Sequence, residues 1–217
     1  MVVKNALFAG ADDEAVDDYL RRLGAAERHV AEGEYVFREG ERGGGLFILL
    51  SGAVEVEKND PSGKRQMVNR FTEPGTVFGE VYLFLKDTPY DFACRVVKEG
   101  RLLFVPKEAF DPKRGEMAHL LVGNMLSILA RKAYFLNQKM LIMSAGSIRK
   151  KIARHFLFKN PTGKAMELMN REELADYLAV PRPSLSRELM KMHREGIIRL
   201  SGRRLSFDPE ALEAVLY

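Results

Sequence analysis

One glycine-containing segment, GTVFGEVYLFLKDTPYDF at residues 75–92, holds acidic residues and a tyrosine close together. Gly79 allows a tight turn and Glu80 supplies a carboxylate directly after it, as in a loop that holds the polar groups of a small ligand. A phosphate in such a loop needs a guanidinium or backbone donors to offset its lost hydration. Tyr90 and Asp91 instead supply a neutral hydroxyl and a further negative charge. The segment therefore favours a neutral or cationic organic ligand over a phosphate.

The residues around this segment are mostly apolar and aromatic, with a few polar points, which is the composition of a small-ligand site. A long helix further along the chain is expected to contribute three more residues. We therefore predict an effector pocket lined by these residues: Phe78, Gly79, Glu80, Val81, Tyr90, Asp91, Phe135, Leu136 and Asn137. Glu80 has a second interpretation, in which its carboxylate accepts backbone N–H groups and only holds the loop. A pocket that binds nothing is a third.

Haem is an alternative ligand for this pocket, because its surroundings are apolar. It needs an axial ligand, for which His29, His119 and Cys94 are the candidates. Each of the three is also typical of an ordinary structural position, and Cys94 lies in an apolar strand where a core thiol is expected. Cys94 is the single cysteine of the chain, so an internal disulfide and a cysteine-ligated iron–sulfur cluster within one chain are excluded.

Two arginines, Arg182 and Arg187, lie in a segment whose element order is helix, short turn, helix and hairpin. This order predicts a winged helix-turn-helix, in which the second helix enters the major groove of DNA. Arginine is the commonest bidentate reader of guanine, and the two residues lie about 140° apart round a helix. Lys191 and two wing arginines are expected to contact phosphates. The predicted DNA-binding residues are Arg182, Pro183, Ser184, Ser186, Arg187, Lys191, Arg203 and Arg204.

The elements that position these residues follow from hydrophobic period and glycine spacing. The first 30 residues are predicted to be helical, whereas from Glu32 short β-branched and aromatic runs alternate with glycine turns, which indicates an antiparallel β-roll. NDPSGK, Asn59 to Lys64, is predicted as a hairpin tip.

A long helix is predicted from Glu116 to about Ser144, and SAGS after it is predicted to be a hinge. Its apolar residues repeat every seven positions, so we expect the seam to pair with a second chain, and a second apolar face to pack on the β-roll. The seam consists of Leu126, Leu129, Ala133, Leu136, Met140 and Met143, and the second face of Leu121, Met125, Ile128 and Phe135. A long core helix within a monomer is the alternative.

With these elements in order, the chain resembles the cyclic-AMP receptor protein/fumarate–nitrate regulator (Crp/Fnr) family of bacterial transcription factors. The resemblance runs from about Glu32 to Phe207 and is carried by FREG, LFILLSGAVEV, GTVFGE, LLFVPKEAF and REELADYLAVPRPSLSRELMKMHREGII. It implies a homodimer on a two-fold-symmetric operator, with Arg182 and Arg187 at the family's base-reading positions. Pro183 stands where the family often has glutamate, so no half-site sequence is predicted.

The resemblance also bears on the ligand. Cyclic-nucleotide binders of the family use a Gly-Glu pair for the ribose and an Arg-Ser pair ten residues on for the cyclic phosphate. Glu80 matches the first pair, but Tyr90 and Asp91 stand at the second. A carboxylate beside a buried phosphate costs several kcal/mol, so we expect neither cyclic AMP nor cyclic GMP to bind at physiological levels.

Composition sets the remaining limits. The chain has 217 residues, is 46% hydrophobic and carries a net charge of +4. Residues 144–217 hold 14 Lys and Arg against 9 Asp and Glu, while the rest of the chain holds 20 against 21, so the excess positive charge lies in the last third. This imbalance points to a polyanion partner. No membrane span or signal peptide is expected, so the expected location is cytoplasmic.

The predicted fold class is α+β: a cyclic-nucleotide-binding-like β-roll, a long dimerisation helix and a winged helix-turn-helix. The predicted domains are residues 1–112, 113–145 and 146–217. The predicted function is a dimeric, effector-controlled transcription regulator whose partners are double-stranded DNA and, if it activates, RNA polymerase. A haem-based gas or redox sensor and a non-DNA-binding interaction module are the alternatives. An enzyme is not expected, because the four histidines are scattered rather than grouped as in a cupin metal site.

Overall fold

The computed structural model describes residues 5–59, 65–85 and 87–217. The predicted hairpin tip therefore lies outside the described residues, apart from the backbone of Asn59. The chain divides into two compact units, one that ends at Leu129 and one that runs from Ala130 to Tyr217. The domain boundaries expected from the sequence stay a prediction.

The first unit is built on strands that pair antiparallel. Its elements are α1 (Asp13–Arg22), β1 (Ala26–Val30), β2 (Tyr35–Phe37), β3 (Gly45–Asn59), β4 (Arg65–Phe71), β5 (Val77–Phe78), α2 (Val81–Phe84), β6 (Ala93–Pro106) and the start of α3 (Glu116–Met143). The sheet order is β1-β6-β3-β4, with β2 on β6 and β5 on β3. Short 3-10 turns lie at Ala6–Phe8, Lys107–Phe110 and Pro112–Arg114. The described strands confirm the predicted β-roll.

Both faces of strand β3 are buried along its apolar run LFILL. Leu46 and Ile48 point into a core that includes α1 and the first half of α3, whereas Phe47 and Leu49 point into the interior of the roll. This division follows the two-residue period of a strand. The rolled sheet thus has one core against the helices and a second, aromatic core within it.

The expectation of helix through the first 30 residues is wrong for its last part. Helix α1 ends at Arg22, Gly24 follows with φ +81°, and strand β1 then pairs with β6 from Ala26 opposite Phe104 to Val30 opposite Gly100. The chain leaves the helix here because glycine in the left-handed region ends it. Pairing with β6 then overrides the helix propensity of the AERHV sequence.

The long helix α3 is confirmed, with 28 residues. In the first unit Leu121 and Met125 are fully buried and Ile128 packs beside them, as the predicted second face requires. Phe135 departs from that face. It lies in the second unit, where its ring packs edge-on at 5.5 Å from the ring of Phe158. The second apolar face therefore ends near Ile128.

The second unit contains the rest of α3 and a small three-stranded sheet. Its other elements are α4 (Ile148–Lys159), β7 (Met166–Glu167), α5 (Arg171–Leu178), α6 (Arg182–Arg194), β8 (Ile198–Ser201), β9 (Arg204–Phe207) and α7 (Pro209–Glu213), followed by a 3-10 turn at Ala214–Leu216. The sheet order is β7-β9-β8, so the predicted hairpin gains a third strand. Ile142 of α3 and Phe156 of α4 lie in its core. The α+β class predicted from the sequence is confirmed.

Candidate DNA interface and effector pocket

Helices α5 and α6 and the turn between them form the helix-turn-helix. Asn170 caps α5 by accepting a hydrogen bond from the Glu173 amide at 2.8 Å, as its position before the helix predicts. Ala179 ends α5 in the left-handed conformation, with φ 47°. The Val180 amide then donates to the Ala175 carbonyl at 3.0 Å. This tight turn sets the direction in which α6 begins.

Helix α6 has one buried and one exposed face. Leu185, Leu189 and Met192 share its inner face and are fully buried, which fixes the rotation of the helix. Among the predicted DNA-binding residues of its first turns, three are exposed and two are half-buried. The exposed ones are Arg182, Pro183 and Arg187, and the half-buried ones are Ser184 and Ser186.

Both candidate base-reading arginines are weakly held. The Arg182 guanidinium lies 3.9 Å from the Glu172 carboxylate, and both side chains are well exposed to solvent. Arg187 donates to the Ser184 hydroxyl at 3.4 Å. Water screens an exposed pair such as the first, so it contributes little to stability. Each guanidinium can therefore exchange its present partner for DNA at small cost.

The wing carries the other predicted phosphate contacts. Arg203 and Arg204 are exposed beside Gly202, whose φ of +59° forms the hairpin tip between β8 and β9. The Arg203 guanidinium pairs with Glu167 of β7 at 3.2 Å, again between exposed groups. Lys191 is exposed on the outer face of α6. All three cations face solvent in the second unit, as phosphate-contacting groups must.

Arg149 of α4 is a positioning residue for α6 that sequence reasoning did not identify. Its Nε donates to Glu188 Oε1 at 2.5 Å and its Nη1 pairs with Glu195 Oε2 at 2.7 Å. These carboxylates raise the pKa of Arg149, and the guanidinium lowers the pKa of Glu195. Glu188 lies in α6 and Glu195 directly follows its last residue, seven positions or about two helical turns further on, and that spacing was the available signal.

His155 of α4 is a buried ionisable group in the same unit. It is 2% exposed, its ring lies 4.8 Å from that of Tyr177, and its Nδ1 has no hydrogen-bond partner among the described residues. Burial lowers the pKa of His155 to about 4, and the charges of Lys159 and Lys139 act in the same direction. The imidazole is therefore neutral in the folded protein at neutral pH.

We expect the folded state to lose stability as the pH falls from about 6.5 towards 4. In that window His155 is protonated in the unfolded state but not in the folded state, so the free energy of unfolding falls by up to ~3 kcal/mol. Above this window His155 is neutral in both states, and below it His155 is protonated in both, so it adds no pH dependence to the stability there. Urea unfolding across the window measures the effect, with His155→Leu as the comparison. If the free energy of unfolding changes with pH at the same slope in the parent and the variant between about pH 6.5 and 5, the predicted effect of His155 is contradicted.

The six predicted pocket residues of the first unit lie in or beside α2 and the start of β6. Phe78, Glu80 and Tyr90 are buried, and Gly79 has φ +77°, which confirms the tight turn. Val81 and Asp91 are exposed. These six residues stay our predicted pocket.

Tyr90 is packed more deeply than a flexible pocket residue would be. Its ring stacks on Phe37 at a centroid distance of 4.0 Å, and Tyr82 contacts it edge-on at 4.8 Å. Burial raises the pKa of Tyr90 to about 12, helped by the charge of Glu41, so its hydroxyl stays neutral. A methyl group on Gly43 would lie 2.9 Å from that hydroxyl, which explains the glycine there. The phenol offers a neutral polar group and no cation.

Two arginines near this region already have acidic partners. The Arg95 guanidinium lies 3.5 Å from Glu57 and 3.8 Å from Glu55, so two carboxylates already offset its charge. Arg42 lies 3.8 Å from Asp87, and both side chains are largely exposed. Neither arrangement supplies the paired guanidinium that a buried phosphate needs.

The remaining pocket candidates, Phe135, Leu136 and Asn137, belong to the second unit and are exposed along α3. The structure groups Phe135 with Tyr134 and Phe158 in an aromatic cluster. The place of all three residues in the effector pocket therefore remains a prediction.

The haem-ligand candidates differ in accessibility. His29 and His119 are exposed, whereas Cys94 is fully buried, and burial raises the pKa of its thiol to about 12. Cys94 is thus a core thiol, as its apolar strand predicted. Within residues 5–59, 65–85 and 87–217, no three His, Cys, Asp or Glu side chains group as a metal site.

The predicted seam of α3 is open to solvent in the single chain. Leu126 is 68% exposed, Leu136 61% and Met140 62%. Met143 and Ala133 are also exposed, and Leu129 is half-buried. Large apolar side chains in a regular row at such exposure mark an interaction surface.

Comparison with known proteins agrees with this geometry. Residues 27–113 match the cyclic nucleotide-binding domain, and residues 150–215 match the Crp-like helix-turn-helix domain. These two matched segments define a DNA-binding transcription regulator with a cyclic-nucleotide-binding-like domain. The chain belongs to the Crp/Fnr family, so the family resemblance seen in the sequence is confirmed.

Two relatives from Thermus thermophilus illustrate the level of similarity. The transcriptional regulator LdrP of that organism is 29% identical over 195 residues, covering 86% of this chain and 94% of that protein. Its cyclic AMP receptor protein is 25% identical over 199 residues, covering 89% and 88%. Among solved structures, the Thermus thermophilus catabolite activator protein aligns with a TM-score of 0.54 at 24% identity over 98% of each chain, which shows the shared fold. In the described part of this chain, no helix is long and apolar enough to cross a membrane.

Proposed function

We propose that the chain is a homodimeric transcription regulator that binds a two-fold-symmetric operator under the control of a small-molecule effector other than cyclic AMP. The observation that carries the proposal is the division of α6 into a buried face and an exposed face that carries two arginines. Three fully buried residues fix its inner face, and Arg182 and Arg187 stand exposed near its start with only weak partners. An exposed pair of arginines at the start of a recognition helix suits guanine reading.

The homodimer is supported by the row of exposed apolar residues on α3. Leu126, Leu136 and Met140 repeat with the spacing of a coiled coil and are each more than 60% exposed in the single chain. Pairing of two such helices would bury both rows. Two-fold symmetry of the dimer then requires a two-fold-symmetric operator, with half-sites one helical turn apart.

The effector is expected to be neutral or cationic. The predicted pocket combines a buried acid, Glu80, and an exposed acid, Asp91, with the aromatic rings around Tyr90. Such a site favours cations and apolar groups and repels phosphate. The effector would act by binding one arrangement of the dimer more tightly than another, which shifts the population that reads DNA. RNA polymerase is a further partner if the protein activates transcription. We expect the protein to act in the cytoplasm.

We expect isothermal titration calorimetry with cyclic AMP up to about 1 mM to show no binding. The physical reason is that a phosphate that loses its water in the predicted pocket would find no guanidinium to offset the loss, while the exposed Asp91 adds a negative charge nearby. The cyclic AMP receptor protein of Thermus thermophilus is the matched positive control, since it shares 25% identity with this chain. Micromolar affinity for cyclic AMP in this chain would contradict the proposed effector class.

DNA selection tests the proposed regulator itself. The purified protein is mixed with fragmented bacterial genomic DNA or a random pool, and bound DNA is recovered and sequenced over several rounds. We expect enrichment of one motif with two-fold symmetry. The selection is run on the protein alone and with a small-molecule extract of bacterial cells as a source of effector. A recovered pool without any enriched motif under both conditions would overturn the proposal in favour of a non-DNA interaction module.

A further inference from the structure

The carboxyl end of α5 is held by two lysines from other helices. Lys139 of α3 donates to the Tyr177 carbonyl at 2.6 Å, and Lys151 of α4 donates to the Leu178 carbonyl at 3.1 Å. The last carbonyls of a helix lack partners within it and carry its negative dipole end, so cations bind there favourably. Both acceptors immediately precede the turn that leads into α6.

Lys139 makes a second contact with the same residue. Its Nζ lies 3.5 Å from the centroid of the Tyr177 ring, within the range of a cation–π interaction. The same Tyr177 ring packs against the buried His155. Burial partly desolvates the Lys139 ammonium, and this desolvation lowers the pKa of Lys139. Contacts with a partly desolvated charge are stronger than contacts in water. Lys139 therefore binds α5 through a hydrogen bond and a cation–π contact, both with Tyr177.

These contacts join α3 to α5 directly, although SAGS, α4 and β7 separate the two helices in sequence. Ile142 anchors the same part of α3 in the core of the second unit, and Phe135 packs on Phe158 of α4. The second half of α3 thus has three attachments to the unit that carries the helix-turn-helix. Of the three, the Lys139 contact is the one that reaches the turn before α6.

We infer that Lys139 is a positioning residue for DNA reading, which ties the seam helix α3 to the turn that aims α6. The inference rests on the proposed function and adds the residue through which a change in the seam would reach the recognition helix. A shift of α3 moves the Lys139 ammonium and, with it, the carbonyl of Tyr177. The left-handed Ala179 and the Val180 amide follow directly, so the direction in which α6 starts changes as well.

The first test needs no DNA. Hydrogen exchange of the full-length protein is compared between the parent and Lys139→Met, which keeps much of the length of the side chain and removes the ammonium. We expect the turn amides of Ala179 and Val180 to exchange about tenfold faster or more, since a hydrogen bond to a charged group is lost beside them. The Leu168 amide, which bonds to Arg203 across the small sheet, should be unchanged.

The second test is affinity for the operator obtained by selection. Lys139→Met should weaken binding about tenfold or more, while Lys139→Arg, which keeps a cation and donors, should recover most of it. Lys164→Met is the matched control, because Lys164 is an exposed lysine of the same unit. It should bind within about twofold of the parent. In a double-mutant cycle, the losses from Lys139→Met and Tyr177→Leu should be non-additive, as for contacting residues.

Three results would overturn the inference. The first is unchanged exchange at Ala179 and Val180 in Lys139→Met. The second is equal loss of protection throughout residues 130–217, or failure of that unit to fold, which would make Lys139 a general stabilising residue. The third is operator affinity within about twofold of the parent. A parent protein that selects no DNA motif would instead contradict the proposed function, and the exchange test would still decide the role of Lys139.

Discussion

Replacing both Arg182 and Arg187 by alanine should lower the affinity for the selected operator about a hundredfold or more. Each arginine that reads a guanine with two hydrogen bonds contributes about 1–3 kcal/mol of discrimination, and the two are separate contacts. Fold stability should change little, because both side chains are exposed and their present partners are weak. Fluorescence anisotropy with labelled operator and with a scrambled duplex measures affinity and specificity together.

The matched control for this pair is Arg21→Ala with Arg22→Ala. These two arginines are exposed on α1 in the first unit and form surface pairs with Asp17 and Asp18. The control removes the same charge, so it separates a general electrostatic effect from loss of base reading. If the Arg182 and Arg187 double variant binds the operator as tightly as this control, the assignment of α6 as the reading helix is wrong.

Leu136→Glu should convert the proposed dimer to a monomer that stays folded. Leu136 is 61% exposed in the single chain, so its replacement leaves the core of the second unit intact. In a paired seam the two carboxylates would be desolvated close to each other, which should weaken association about a thousandfold. Light scattering across a concentration series measures the mass, and circular dichroism checks the fold. Operator affinity should fall with dimer content.

Ser127→Glu is the comparison for the seam variant. Ser127 is exposed on the same helix but lies one residue beyond Leu126, outside the seam positions. The Ser127→Glu protein should remain dimeric, although it carries the same added charge as Leu136→Glu. A Leu136→Glu protein with the mass of a dimer at the concentrations where the parent is a dimer would show that the exposed row is not the subunit contact.

The sequence predicts long, periodic elements and their buried faces well. Helix α3 was visible because its apolar residues repeat without proline from Glu116, and α6 because Leu185, Leu189 and Met192 share one face. The start of α5 was also predictable, since Asn170 is a strong N-cap. These features depend on neighbours in sequence, which is why local pattern suffices for them.

Other features depend on residues far apart in sequence. Strand β1 forms because β6 pairs with it from about 75 residues away, and AERHV alone carries no such signal. The stacking of Tyr90 on Phe37 could not be inferred from a position in a loop. Equally, no local pattern pairs Lys139 with Tyr177, because side-chain partners across helices are set by packing.

The most direct test of the proposed regulator is a hydroxyl-radical footprint of the parent protein on the operator obtained by selection. A homodimer that places one α6 in each of two major grooves should protect two equivalent tracts, related by two-fold symmetry and centred about 34 Å, or one helical turn, apart. The Arg182 and Arg187 double variant should lose both tracts together. A single tract, or uniform protection without symmetry, would contradict the proposed homodimer on a symmetric operator.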